Sequence, residues 1–237
     1  MDRTAIEKIV ELGAPNILEA NEYRYTDKPL SVIKEPAVST LTFHTLGGLV
    51  KTLRKEHHIF NGPLVIDVFD EETVRVYAAI NVGDRQREEP YTVKAELIDI
   101  PFNSTLSYEN MMIMLRSKFV ETPELLEVVK LLGSITEENS AAASDDGFTQ
   151  TVVVRKGIAM KENKTVRPIV KLKPYRTFSE VDQPESEFLL RLSEGGGVAL
   201  YEADGGAWKL QARRNVAEYL KNSLANLVEA GEVIIVE

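Results

Sequence analysis

Residues 45–80 read TLGGLVKTLRKEHHIFNGPLVIDVFDEETVRVYAAI, a helical pattern, a break and a strand–turn–strand pattern in direct succession. Leu46, Leu49, Val50 and Leu53 recur at the spacing of one helical face, although Gly47 and Gly48 each weaken a helix by about 1 kcal/mol relative to Ala. Asn61-Gly62-Pro63 then breaks the chain. Residues 64–69 and 74–80 flank an acidic turn at 70–72 and predict a β-hairpin, with 91–100 as a third strand of the same meander. Helices and strands that come in runs rather than in strict alternation predict an α+β fold.

Working outward, residues 4–12 put Ile6, Ile9 and Val10 on one helical stripe, with Gly13 in the place of a C-terminal cap. Downstream, Ser107 is placed to cap a helix whose face is Tyr108, Met111, Met112, Leu115 and Phe119. Thr122-Pro123-Glu124 opens another, with Pro at its first position and Leu125, Val128, Val129 and Leu132 inward as far as Gly133. The small, acidic run EENSAAASDDG at 137–147 reads as a loop. It divides a helical and β-meander half (1–138) from a β-rich half (148–237) across an acidic loop at 139–147, unless the chain is one continuous domain. In the second half, 152–156, 166–173, 186–192 and 198–201 read as strands. Gly195-Gly196-Gly197 and Asp204-Gly205-Gly206 supply turns with φ > 0. A helix over 213–228, carrying Val216, Tyr219, Leu220, Leu224 and Leu227, stops at Gly231 before a short edge strand at 233–236.

The chain has 237 residues, 43% of them apolar and 27% charged, with net charge −9 and no cysteine. Such a composition belongs to a folded globular protein. Without cysteine there is no disulfide, thiol catalysis or cysteine-ligated metal. No run of eighteen apolar residues predicts a membrane span, and Met1-Asp2-Arg3-Thr4 enters an amphipathic pattern rather than a signal peptide. The acidic balance excludes a protein that coats nucleic acid with its whole surface.

Charge is nevertheless segregated. Residues 151–176 carry eight basic side chains against Glu162 alone, a block of +7, and residues 177–204 carry seven acids against Arg191, a block of −6. A strand at 166–173 would turn Val166, Val170 and Leu172 to the core and line Arg167, Lys171 and Lys173 along the opposite face, with Lys161, Lys164 and Arg176 near. Two readings follow. The basic block pairs with the acidic one, within a chain or between subunits of a homo-oligomer. Alternatively, the face formed by Arg167, Lys171, Lys173, Arg176 and Lys164 binds an anionic ligand, a nucleotide or nucleic acid, although only Tyr175 and Phe178 are near enough in sequence to stack on bases.

Motifs for chemistry are thin. His57 and His58 are adjacent, which from a regular helix does not chelate one metal, and they read as caps at the end of the 45–56 helix. Asp67 and Asp70 with a histidine would make a minimal metal-assisted hydrolase, but no general base or third ligand accompanies them. Gly195-Gly196-Gly197 lacks the spacing of a phosphate loop and leads into a strand. The expectation is therefore a non-enzymatic protein with no catalytic residue, no metal site and no cofactor, whose partners are copies of itself or other proteins.

Arg167-Pro168, Pro174-Tyr175-Arg176-Thr177-Phe178, Glu180-Val181-Asp182-Gln183-Pro184 and Ser186-Glu187-Phe188 resemble wording of the YfdQ-like family of phage and prophage proteins. Leu200-Tyr201-Glu202-Ala203-Asp204-Gly205-Gly206-Ala207-Trp208, Asp145-Asp146-Gly147 and the opening helix at 5–13 extend the resemblance over most of the chain. It implies a phage or prophage origin and the cytoplasm of a host cell, and it supplies no catalytic residue. The residues themselves read as a packing and strand-pairing scaffold. Gln183-Pro184 forces an extended approach to the next strand, and Arg176 is placed to pair with Glu180 or Glu202, as Arg191 is with Glu187 or Asp204.

Overall fold

The computed structural model describes residues 2–20, 23–26, 38–81, 85–136, 141–145, 150–156, 160–193 and 197–237. The chain is an α+β protein divided into two compact units, Met1–Ala37 and Val38–Glu237.

In the first unit, helix α1 (Arg3–Gly13) precedes a hairpin of β1 (Ile17–Ala20) and β2 (Tyr23–Thr26), paired from Ile17↔Thr26 to Ala20↔Tyr23. Two ion pairs within the helix, Arg3–Glu7 at 2.9 Å and Lys8–Glu11 at 2.8 Å, satisfy its polar face. Its apolar stripe is open: Ile9 is 60% and Val10 67% exposed, and no residue of α1 is buried. Gly13 is the last helical residue rather than a left-handed cap, and the chain leaves the helix through an extended Ala14.

The second unit runs β3 (Leu41–Phe43), α2 (Leu46–Glu56), a 3-10 turn His57–Ile59, β4 (Leu64–Val68), β5 (Thr73–Tyr77), β6 (Tyr91–Lys94) and β7 (Leu106–Ser107). It continues with α3 (Tyr108–Lys118), α4 (Pro123–Thr136), β8 (Ala141–Asp145), β9 (Gln150–Lys156), β10 (Met160–Val166) and β11 (Ile169–Leu172). The last elements are β12 (Ser186–Ser193), β13 (Gly197–Glu202), α5 (Ala207–Ser223), α6 (Ala225–Glu229) and β14 (Val233–Val236).

Two apolar cores organise this unit. The first lies on a five-stranded sheet of order β14–β4–β5–β6–β3, in which the hairpin β4–β5 is antiparallel and the outer strands β14 and β3 are parallel to their neighbours. Leu46, Leu49, Val50 and Leu53 of α2 are buried, as expected, together with Val216, Ala217 and Leu220 of α5. Thr45 caps α2 by accepting a hydrogen bond from the Gly48 N–H at 3.2 Å. Gly48 has a packing reason, because a Cβ there would meet the Phe43 ring at 3.2 Å and Thr45 Oγ1 at 3.1 Å.

The second core lies between α3, α4 and the sheet β11–β12–β13–β7. Ser186, Phe188, Leu190 and Leu192 alternate inward along β12 as the sequence pattern requires. Both expected caps are present: Asn110 N–H donates to Ser107 Oγ at 3.2 Å and Leu125 N–H to Thr122 Oγ1 at 3.1 Å. Each core draws on both sides of residues 139–147, so the boundaries 1–138 and 148–237 do not coincide with the cores.

Other expectations change as well. Residues 95–100 leave the sheet after Lys94, because Ala95 packs on the first core whereas Ile100 and Phe102 pack on the second. The run at 137–147 is not all loop: Ala141–Asp145 is a strand beside β9, so polar, small-residue composition did not prevent pairing with the Val-rich neighbour. Instead of one strand over 166–173 there are two, β10 and β11. Pro168 lies between them, where a residue without an N–H cannot continue a ladder.

Candidate functional site

The basic block is split by the fold. Arg155, Lys156, Lys161 and Lys164 belong to the hairpin β9–β10, in a three-stranded sheet with β8, whereas Arg167, Lys171, Lys173 and Arg176 belong to or follow β11. In the hairpin, Arg155 stands directly opposite Lys161, and Lys164 opposite Val152.

The acidic segment meets the second group within the same chain. Lys171 lies opposite Glu187 in the β11–β12 register, with Nζ 3.8 Å from Glu187 Oε1, and its main-chain N–H donates to Glu124 Oε1 at 2.9 Å. Lys173 Nζ is 3.2 Å from Asp182 Oδ2. Arg167 is exposed at the edge of a shallow cavity of about 220 Å³ that Glu124 and Glu127 also line. Val170 and Leu172 are buried as the alternation predicts, whereas Arg167 precedes β11 and Lys173 follows it. Lys171 and Lys173 both face carboxylates of the acidic segment.

Arg176 is the most constrained of the set. Its side chain is only 7% exposed, with Nη1 2.6 Å from Glu202 Oε1 and Nη2 3.9 Å from Asp204 Oδ2. Nη2 also donates to Ser186 Oγ. The guanidinium lies over the Trp208 ring, 3.8 Å from its centroid, and 5.5 Å from that of Phe188. Burial pulls its pKa down to about 10, against the opposing pull of Glu202 and Asp204. A cation held in this way joins β12, β13 and α5.

Around Arg176 the segment 174–186 forms a seam between the two cores. Tyr175 N–H donates to Lys118 O and Val120 N–H to Lys173 O, which ties the seam to α3. Phe178 is buried in the first core. Gln183 Oε1 accepts from the Arg176 N–H at 3.0 Å and the Thr177 N–H at 3.3 Å, while its Nε2 donates to Phe178 O at 2.9 Å. Thr177 Oγ1 donates to Glu71 O at 2.6 Å, and Lys209 Nζ is 2.5 Å from the buried Glu71 carboxylate.

Two cavities open along the seam on either side of residues 95–100. One, of about 370 Å³, is lined by His44, Glu96, Tyr175 and Glu180 among others. The other, of about 500 Å³, is lined by Glu71, Glu72, Asp99, Arg176, Trp208 and Lys209 among others. Leu97 and Ile98 line both. Glu72 has its carboxyl pKa raised, first by burial and then by Glu71 and Asp70.

The remaining candidates make local contacts. His57 Nδ1 lies 2.9 Å from Leu53 O at the end of α2, and Nε2 3.0 Å from Glu232 Oε2. Asp70 Oδ1 accepts the Glu72 N–H at 2.8 Å within the hairpin turn. Asp204 caps α5, accepting from Gly206 N–H at 3.0 Å and Trp208 N–H at 3.4 Å, which starts that helix at Ala207 instead of near 213. Among the described residues no group of three His, Cys, Asp or Glu is arranged to hold a metal ion. No helix among them is long and apolar enough to cross a membrane. Sequence reasoning missed the burial of Glu71, for which an acidic turn gives no signal, and the departure of residues 95–100 from the sheet. No family model, curated protein or solved structure matches the chain.

Proposed function

We propose that this chain is a non-enzymatic interaction protein that associates with copies of itself, of the phage or prophage type that the YfdQ-like wording implies, and acts in the cytoplasm of a host cell. The observation that carries the reading is the open apolar stripe of α1, where Ile6, Ile9 and Val10 are all about half exposed or more. An eleven-residue helix is marginal in water by itself, and a unit below about 40 residues without disulfides rarely holds a core. With Arg3, Glu7, Lys8 and Glu11 already paired within the helix, what α1 offers a partner is apolar surface, and an apolar stripe is complementary to itself. The pairing of Lys171, Lys173 and Arg176 with acids supports the same reading, since it engages these three cations within the chain.

The test is the mass in solution of the full chain against that of residues 38–237, which contain both cores. Association of the full chain that the truncation weakens is expected. A full chain that stays monomeric at all concentrations and salts would overturn the proposal.

A second reading, an anionic ligand such as a nucleotide or nucleic acid, is favoured by one feature, the like-charged pair Arg155 and Lys161 facing across β9–β10. It moves the ligand face from Arg167, Lys171, Lys173 and Arg176 to the hairpin that also carries Lys164. A thermal shift on adding nucleotides or oligonucleotides supports it, and none at millimolar ligand removes it.

A further inference from the structure

We infer that copies of this chain also join head to tail, the basic hairpin β9–β10 of one copy docking along the Glu96–Ile98 stretch of the next. The inference rests on the self-association proposed above and names a second surface for it. Three features of the crossing at 95–100 make it a receptor for an extended segment. Ladder bonding stops at its start, where Ala95 N–H donates to Glu72 O, and among the described residues no hydrogen bond reaches the backbone of Glu96, Leu97 or Ile98. Ile98 is 50% exposed. Cavities of about 370 and 500 Å³ flank the crossing, with Leu97 and Ile98 forming a wall of each. Open main-chain donors and acceptors with a pocket on either side are what an added strand uses, its backbone bonding to the receptor and its alternate side chains entering the pockets.

Charge selects the occupant. Around the two cavities Glu202 is paired with Arg176, Glu71 with Lys209, and Glu96 lies 3.7 Å from His44 Nδ1. Glu72, Asp99 and Glu180 have no cationic ion-pair partner among the described residues, so the receptor is acidic. On the other side, β9 and β10 are extended and carry four basic residues against Glu162. Their register sets Arg155 against Lys161, and like charges directly opposite weaken a sheet unless an anionic surface lies over them. Acidic pockets with apolar walls fit such a hairpin and repel a phosphate backbone. Because hairpin and receptor are different surfaces, the contact is heterologous and builds rings or filaments rather than closing a two-fold dimer.

Charge reversal in two separate variants tests this. R155E with K161E inverts the hairpin, and E72K with D99K inverts the receptor; all four sites are on the surface or in strands, and a melting curve checks that each variant folds. Each variant alone is expected to lose head-to-tail association by tenfold or more, and an equal mixture to regain it, because each inverted surface then meets its complement. Wild-type assemblies should shrink as salt rises from about 0.05 to about 0.5 M, since screening weakens exposed pairs, whereas contacts through α1 should not. Wild-type association indifferent to salt and to both reversals overturns this inference and leaves the α1 reading standing. A monomeric wild type at all salts overturns both. If the hairpin reversal abolishes binding of an oligonucleotide while association is unchanged, the hairpin's partner is nucleic acid and the inference fails.

Discussion

Arg176 and Trp208 stack with the guanidinium 3.8 Å from the ring centroid, which fixes the start of α5 against the β12–β13 edge of the other core. Removing the cation leaves Glu202 and Asp204 facing each other without it, and removing the indole uncovers the guanidinium. Arg176→Ala should lower stability by about 3 kcal/mol, with Arg176→Lys also clearly destabilising, because an ammonium cannot stack and bond Glu202 and Ser186 at once. Urea unfolding measures both. A loss within about 0.5 kcal/mol, the range of an ordinary surface change, would show that the stack has no structural role.

Gln183 is read from both ends of its amide, accepting from two N–H groups and donating to Phe178 O and Val181 O. Gln183→Glu keeps the shape and turns the donor into a carboxylate oxygen aimed at two carbonyls. A buried unsatisfied or repelling polar group costs about 1–3 kcal/mol, more when charged, so this isosteric change should rank among the most damaging in the seam. The loss should ease as pH falls and the carboxyl protonates, which melting at pH 4 against pH 8 will reveal.

A Cβ on Gly197 would lie 2.6 Å from Thr105 Cγ2, too close for any real contact. Gly197→Ala is expected to cost about 1–3 kcal/mol through overpacking. Thr105→Ser removes the offending methyl and should recover most of that loss. If the double variant is no better than Gly197→Ala, the close approach is not the reason for glycine at this position.

Tyr91 donates to Glu56 Oε2 at 2.8 Å, and burial, this hydrogen bond and the Glu56 charge push its pKa up from 10 to about 12. The folded state therefore holds the phenolic proton more tightly than the unfolded chain does. The resulting stability is fully present below pH 10 and is lost as pH rises from 10 towards about 12. Tyr91→Phe should lower the melting temperature near neutral pH and flatten its fall in that alkaline window. An unchanged alkaline slope in the variant would assign the slope to other groups.

Lys171→Glu with Lys173→Glu breaks two ion pairs at the surface, each worth at most about 1 kcal/mol. Any thermal shift produced by an oligonucleotide should survive this double change and vanish with R155E and K161E. The opposite pattern would return the anion-binding face to β11.

Much of the fold was legible because local rules and tertiary packing agree there. The stripe Leu46, Leu49, Val50 and Leu53, the caps at Ser107 and Thr122, and the alternation along 186–192 all announce themselves by spacing or by side-chain chemistry. Misreadings came where tertiary context outweighed the local pattern. AELIDI at 95–100 has the apolar content of a strand, yet it is divided between two cores, and among the described residues no strand pairs with Glu96–Ile98. The basic block was visible as composition, but Pro168 and the reversal into β11 decide that its two halves serve different neighbours, and no local spacing encodes that. Glu202 as the partner of Arg176 was among the expected pairs, whereas Trp208 over the same guanidinium depends on where α5 begins, which a carboxylate two residues before Gly206 determines.

The last strand, β14, lies parallel to β4 and brings Val233 into a core otherwise built from residues 43–95, the seam and the C-terminal helices. A ribosome making this protein therefore cannot release a finished first core early. Leu64 and Ile66 lack one flanking strand until Val233–Val236 have emerged, after the second core's strands and helices have all been synthesised. Domains ordinarily fold in the order in which they are made; here the half begun first is completed last. A chain interrupted anywhere before residue 233 would present the bare edge of β4, the kind of surface that chaperones and proteases engage.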